Sequence, residues 1–116
     1  MRQRVWHDGE RAAWRTYRGR GYRLVARNWR SALGELDLVV ARSGVLVFVE
    51  VKARSSDRMG RPYEAVTASK QRRLRRLAEA FVAAARPGEA RFRFDVASVT
   101  VRDRGPPDVH VFEDAF

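Results

Sequence analysis

The chain contains no cysteine. That excludes a disulfide framework and any thiolate metal site, and it suits a reducing cytoplasm. Lysine is nearly missing as well. Of 24 Lys and Arg residues, 22 are arginine, so Lys52 and Lys70 stand alone. No apolar run approaches the roughly 20 residues of a membrane span. The stretch Met1-Arg2-Gln3-Arg4-Val5-Trp6-His7 is basic but leads into no apolar segment, so it does not read as a secretory signal. Acids are scarce: 14 against those 24 cations, a net charge of +10. Such a balance points to a polyanion, DNA first and RNA second, rather than to a membrane surface. A generic arginine-rich composition is the bland alternative. The 116 residues suit one domain spanning 1–116, with a core over about 9–101 and a peripheral segment 102–116. A homodimer stays open.

What is present is an acidic hairpin. Gly34-Glu35-Leu36-Asp37 is followed by apolar residues, then Arg42-Ser43-Gly44, then a second apolar run ending in Val49-Glu50-Val51-Lys52. A Ser-Gly pair between two such runs is a turn signal. If Ser43 and Gly44 form a two-residue turn, Arg42 faces Val45. Asp37 then faces Glu50, and Glu35 faces Lys52. Opposed side chains lie roughly 5 Å apart, and every second residue shares a face. Like charges so placed are destabilising. One Mg²⁺ or Mn²⁺ ion held by Asp37 and Glu50 is the simplest compensation. The alternative is a solvated hairpin end with a cross-strand ion pair, in which Glu35 pairs with Lys52. Leu46 and Phe48 share one face of the second strand with Glu50, while Val45, Val47, Val49 and Val51 share the other. A strand apolar on both sides belongs inside a sheet covered on both faces.

The rest of the chain supplies a frame. A first helix from Asp8 or Gly9 to about Arg18 has the inner stripe Glu10, Ala13, Trp14 and Tyr17. Glu10 lies on that apolar face, although a glutamate near a helix N-terminus also suits the dipole. Tyr22 to Arg27 alternates as a strand, and Asn28-Trp29-Arg30-Ser31 reads as a connection. A long loop from Ala53 to about Ala68 carries Arg54, Arg58 and Arg61, which point to phosphates. A second helix from about Ser69 to Ala85 buries Leu74, Leu77, Ala78, Phe81 and Ala85. Lys70, Gln71, Arg72, Arg73, Arg75 and Arg76 crowd its first two turns. The helix dipole and mutual repulsion both disfavour cations there, and a bound polyanion offsets both. Arg91 to Val101 reads as a strand with Phe92, Phe94 and Val96 inward and Asp95 structural. Val109 to Phe112 reads as a last short strand. The order gives an α/β fold around a mixed sheet.

On these residues the chain resembles the PD-(D/E)XK nuclease superfamily, and more closely a YraN-like family. The matching stretches are Gly21-Tyr22, Asn28-Trp29-Arg30, Gly34-Glu35-Leu36-Asp37, Val47 to Lys52, Ala65-Val66, Lys70 to Leu74, and Arg93 to Val96. Leu36 stands where the superfamily signature carries proline. The resemblance implies a restriction-endonuclease-like αβββαβ core similar to that of Holliday-junction resolvases. It implies that Asp37, Glu50 and Glu10 hold Mg²⁺ or Mn²⁺ and that Lys52 assists an attacking water. Gln71 falls where some of these nucleases carry a further polar residue. The expected activity is metal-dependent DNA endonuclease cleavage, in branched or damaged DNA during repair or recombination. A non-catalytic nucleic-acid-binding module and a ribosome or replication accessory protein remain the alternatives.

Overall fold

The structure is a computed structural model and describes residues 8–55 and 66–116. Seven elements follow in the order α1 (Asp8–Gly19), β1 (Arg23–Ser31), β2 (Gly34–Arg42), β3 (Val45–Ser55), α2 (Ala68–Ala85), β4 (Arg91–Val101) and β5 (Asp108–Phe112). The five strands form one sheet in chain order, β1-β2-β3-β4-β5. Only β3 and β4 run parallel; their neighbours are antiparallel. The fold is therefore mixed α/β. A parallel pair needs a crossover connection, and α2 lies within the one joining β3 to β4.

The β2–β3 turn is what the sequence predicts. Ser43 and Gly44 both have positive φ, 52° and 78°, the primed turn that matches strand twist. The pairing runs from Arg42↔Val45 to Leu38↔Val49. Each face of the sheet carries one helix. On the α1 side Ala13 and Tyr17 pack on Leu38, Val40, Val47, Val49, Ala97 and Val99. On the α2 side Leu74, Leu77 and Phe81 pack on Val39, Phe48, Phe94 and Val96. The two apolar faces of β3 are thus both covered, as a central strand requires.

Four expectations need correction. Asn28-Trp29-Arg30-Ser31 is strand, not connection: β1 runs through it to Ser31, with Asn28 taking φ 50° inside the strand. β3 continues to Ser55 because Ala53, Arg54 and Ser55 pair with Val99, Thr100 and Val101, so Arg54 stands on a strand and not in a loop. Ala85 is exposed, because the buried stripe of α2 ends at Phe81. Phe92 is also exposed, near the start of β4, because an open groove lies between it and α2. Arg58 and Arg61 lie outside the described residues.

Candidate metal and nucleic-acid site

The two hairpin strands part at the acids. Bonded pairing ends at Leu38↔Val49. Just beyond it, the Val51 N–H donates not to a β2 carbonyl but to Asp37 Oδ2, at 2.9 Å. Alternation along β2 breaks at the same point. Leu36 packs on the α2 side with Val39, whereas Leu38 and Val40 pack on the α1 side. Asn28 falls across from Asp37 in the β1–β2 register, between the pairs Arg27↔Leu38 and Trp29↔Leu36. Its left-handed backbone is one that asparagine tolerates better than most residues. Asp37 and Glu50 both border a narrow cleft of only about 10 Å³ on the α2 side of the sheet, together with Leu36, Phe48, Leu74, Phe94 and Phe116.

Glu10 enters from α1. It is 9% exposed, and Asn28 Nδ2 donates to its Oε1 at 3.1 Å. Gly9 permits this approach: a Cβ there would stand 2.7 Å from the Cβ of Ala53 on β3. Asp37 carries the electrostatic consequence. Burial, then the Glu50 carboxylate, and less strongly Glu10 and Glu35, push its carboxyl up to about 7, and the Val51 N–H only partly opposes them. At neutral pH this carboxyl is poised between its two protonation states.

The cations are divided. Lys70 Nζ, on the first turn of α2, reaches Glu50 Oε2 at 2.7 Å. Lys52 follows Glu50 on the same face of β3, and no ion pair holds it among the described residues. Glu35 pairs with Arg30, Nε to Oε2 at 3.8 Å, rather than with Lys52. Arg72, Arg73 and Arg76 are exposed on α2. Arg75 instead lies over the rings of Phe94 and Phe116, 4.7 and 5.7 Å from their centroids. Gln71 turns back, its Nε2 donating to the Val66 carbonyl at 2.9 Å, beside the Thr67 cap that accepts the Lys70 N–H. Arg54 is partly buried near the end of β3.

The donor set fits a hard divalent ion in part. Two carboxylates with added waters are how Mg²⁺ is commonly held, and Asp37 and Glu50 provide that pair. Among the described residues, no three His, Asp or Glu side chains gather closely enough to enclose an ion. Sequence reasoning missed Asn28 and the Lys70–Glu50 pair. The first had a signal, an Asn preceding Trp29 in an alternating run; the second had none, because it depends on where α2 docks.

The model of the "Uncharacterised protein family UPF0102" matches residues 9–99, which take in both helices and the whole acidic hairpin. The chain belongs to the UPF0102 family. A UPF0102 protein of Symbiobacterium thermophilum is 46% identical over 116 residues, covering 100% of this chain and 98% of the relative. One from Mycolicibacterium vanbaalenii is 46% identical over 102 residues, covering 87% and 84%. One from Caldicellulosiruptor saccharolyticus is 38% identical over 111 residues, covering 95% and 94%. The YraN-like resemblance thus holds at the level of the family. This UPF0102 chain has no helix among its described residues that is long and apolar enough to cross a membrane.

Proposed function

We propose that this chain is a metal-dependent nuclease with a restriction-endonuclease-like core, hydrolysing phosphodiester bonds of DNA in a reducing cytoplasm. The observation that carries the reading is the cleft at Asp37. Two strands part there, two carboxylates line the gap, and one of them is pushed up to about 7 by burial and by its acidic neighbours. A site that suppresses its own ionisation is one that a divalent cation relieves. Perturbed carboxyls in clefts also cluster at functional positions.

Asp37 and Glu50 hold the ion, with Glu10 acting through water and kept in place by Asn28. When bound, Mg²⁺ or Mn²⁺ supplies an activated water and neutralises charge on the scissile phosphate. Lys52, two residues beyond Glu50, orients the attacking water or meets charge developing on the phosphate oxygens. Arg72, Arg73 and Arg76 hold flanking phosphates without reading sequence. Lys70 keeps Glu50 directed into the cleft.

A second reading has its own support. The Lys70 ammonium already answers Glu50, and no three acids converge among the described residues. A nucleic-acid-binding module on the same scaffold needs nothing more. A cleavage screen with Mg²⁺ and Mn²⁺ over duplex, single-stranded, flapped and four-way DNA separates the two. Asp37→Ala should abolish any cleavage while leaving DNA affinity equal or higher. If the wild type cuts nothing, and calorimetry finds no Mn²⁺ binding that depends on Asp37, the binding module is the correct description.

A further inference from the structure

On the α2 side of the sheet, a groove of about 620 Å³ lies between α2, the start of β4 and the last residues of the chain. That is the size of an ordinary small-molecule site, ~300–1,000 Å³. Four phenylalanines dominate it: Phe48, Phe92, Phe94 and Phe116. Phe48 stacks on Phe94 with centroids 5.4 Å apart, and Phe94 stacks on Phe116 at 5.1 Å. Phe92 tilts against Phe48 at 6.4 Å and is 49% exposed, the most exposed of the large apolar side chains described. Phe48, Phe94 and Phe116 form a floor partly covered by Arg75, and Phe92 is the ring left with an exposed surface.

Charge narrows the ligand. Arg75, Glu79 and Asp114 line the groove, whereas the Arg93 guanidinium is engaged with Asp95 and Tyr22 on the α1 side. A phosphate inside would meet two carboxylates against one guanidinium already lying over Phe94 and Phe116. A cationic ligand would have to approach a chain of net charge +10. A flat, neutral group with a polar edge suffers neither penalty. Its face stacks on an aromatic ring, and its amino and carbonyl edge finds acceptors and donors. An unpaired nucleobase has that chemistry, and stacking of bases on aromatic side chains is tolerant of sequence. The groove also adjoins the acidic cleft, because Phe48, Phe94 and Phe116 line both. Phe92 pairs with Leu46, four residues before Glu50 on β3, about 13 Å along the strand, the scale of two nucleotides in an extended strand.

We propose that this groove receives an unpaired base of a nucleic-acid strand whose backbone passes the Asp37–Glu50 cleft. Placing the backbone there rests on the nuclease reading; the base site rests on the groove. The test is binding in EDTA, where nothing is cut. Oligonucleotides carry 2-aminopurine in a single-stranded gap or in a continuous duplex, as DNA and as RNA. Wild type should alter the fluorescence of the gapped probe and not of the duplex. Phe92→Ala should weaken gapped binding about tenfold, as loss of one stacked base does, and leave duplex affinity within about twofold. Phe92→Trp should restore it. Whichever of DNA or RNA suffers the loss is the strand the groove takes. Phe92 belongs to neither buried cluster, and an unchanged thermal melt verifies that the variants fold. An equal loss on gapped and duplex probes, or no loss on either, overturns the base site. So does a shift of sedimentation mass in Phe92→Ala with unchanged binding, which makes the groove a contact between copies of the chain. Asp37-dependent cleavage without any Phe92 effect retains the nuclease and rejects the groove. Phe92-dependent strand binding without cleavage under any metal does the reverse.

Discussion

At the scale of single residues, Asp37 governs the behaviour of the site. Its folded-state carboxyl is raised from 3.8 to about 7. Between those values the folded chain binds a proton that the unfolded chain has released. Stability from this group is therefore full below about pH 4 and is lost as pH climbs to about 7, with a slope approaching 1.4 kcal/mol per pH unit. Asp37→Asn keeps an oxygen for the Val51 N–H but cannot ionise. It should melt higher than wild type at pH 8 and match it at pH 4.5. A constant difference across that range in metal-free buffer would show that Asp37 does not titrate there. If the ionised carboxylate binds metal, as proposed, millimolar Mn²⁺ should raise the wild-type melting temperature at pH 8 and leave that of Asp37→Asn unchanged. The hairpin register down to Leu38↔Val49 was legible in the sequence, but the expected facing of Asp37 with Glu50 and of Glu35 with Lys52 is not formed, because pairing ends there. Ser43-Gly44 permits a two-residue primed turn, and a known turn fixes which residues oppose. The parting of the strands at Asp37 was not legible, because local spacing does not show that the Asp37 side chain takes the Val51 N–H in place of a β2 carbonyl. Nor was the partner of Glu50, since Lys70 belongs to a different element and reaches the cleft only once α2 has docked.

At the scale of elements, α2 joins two tasks on one cylinder. Leu74, Leu77, Ala78 and Phe81 bury one side, while Arg72, Arg73 and Arg76 face outward. If those three meet phosphates, replacing them with Ala should weaken binding across sequences. The salt slope should fall by about one unit for each phosphate that an arginine no longer neutralises. Fluorescence titrations at low and at physiological salt measure it, and an unchanged slope would locate the DNA surface elsewhere. Arg75→Ala should change that slope less, because its guanidinium is engaged on Phe94 and Phe116. The helix end offers a cleaner test of backbone chemistry. Arg86 caps α2 in the left-handed region, φ 48°, its N–H reaching the Val82 carbonyl. Glycine takes this conformation without a Cβ penalty, so Arg86→Gly should stabilise by about 0.5–1 kcal/mol in denaturant melts. The C-terminal end of α2 was well signalled by Pro87-Gly88, whereas its Thr67 cap was not read from the sequence. Strand boundaries were not: a polar asparagine within β1 imitates a loop, and the end of β3 lacks alternation because its order comes from pairing with β4.

At the scale of the whole molecule, Asp95 binds the layers together. It is fully buried. It accepts from Tyr17 Oη of α1 at 2.7 Å, from both Nε and Nη2 of Arg93 at 2.9 Å, and from the Asp114 N–H at 2.9 Å. Arg93 also donates to Tyr22 Oη at 3.0 Å. The Arg93 guanidinium is held above its ordinary value chiefly by its hydrogen bond to Asp95, and the Tyr17 phenol is pushed up by burial and then by the Asp95 charge. Removing one partner leaves the others buried and unanswered. Asp95→Ala should therefore lose about 3–5 kcal/mol, against ~1 kcal/mol for an ordinary substitution. A loss below about 1 kcal/mol in urea melts would mean that the network is better hydrated than its burial indicates. Sequence alternation placed Asp95 away from the acidic cleft, on the side opposite Phe94, and the structure agrees. Its donors come from separate parts of the chain, beyond what local spacing can reveal.

The single parallel pair in the sheet also sets an order in time. β1, β2 and β3 form a meander closed by tight turns, whereas joining Val45 to Arg91 closes a long loop through α2. Local pairings form fast, and distant ones must first overcome loop entropy. The hairpin that brings Asp37 toward Glu50 is thus expected in the folding transition state, with β4 and Lys70 arriving later. Val40 and Val99 are both fully buried on the α1 side. Val40→Ala should mainly slow refolding, and Val99→Ala should mainly speed unfolding. On that pathway the two carboxylates meet before the ammonium that answers one of them; if they hold a divalent ion, as proposed, such ions present during refolding should accelerate it.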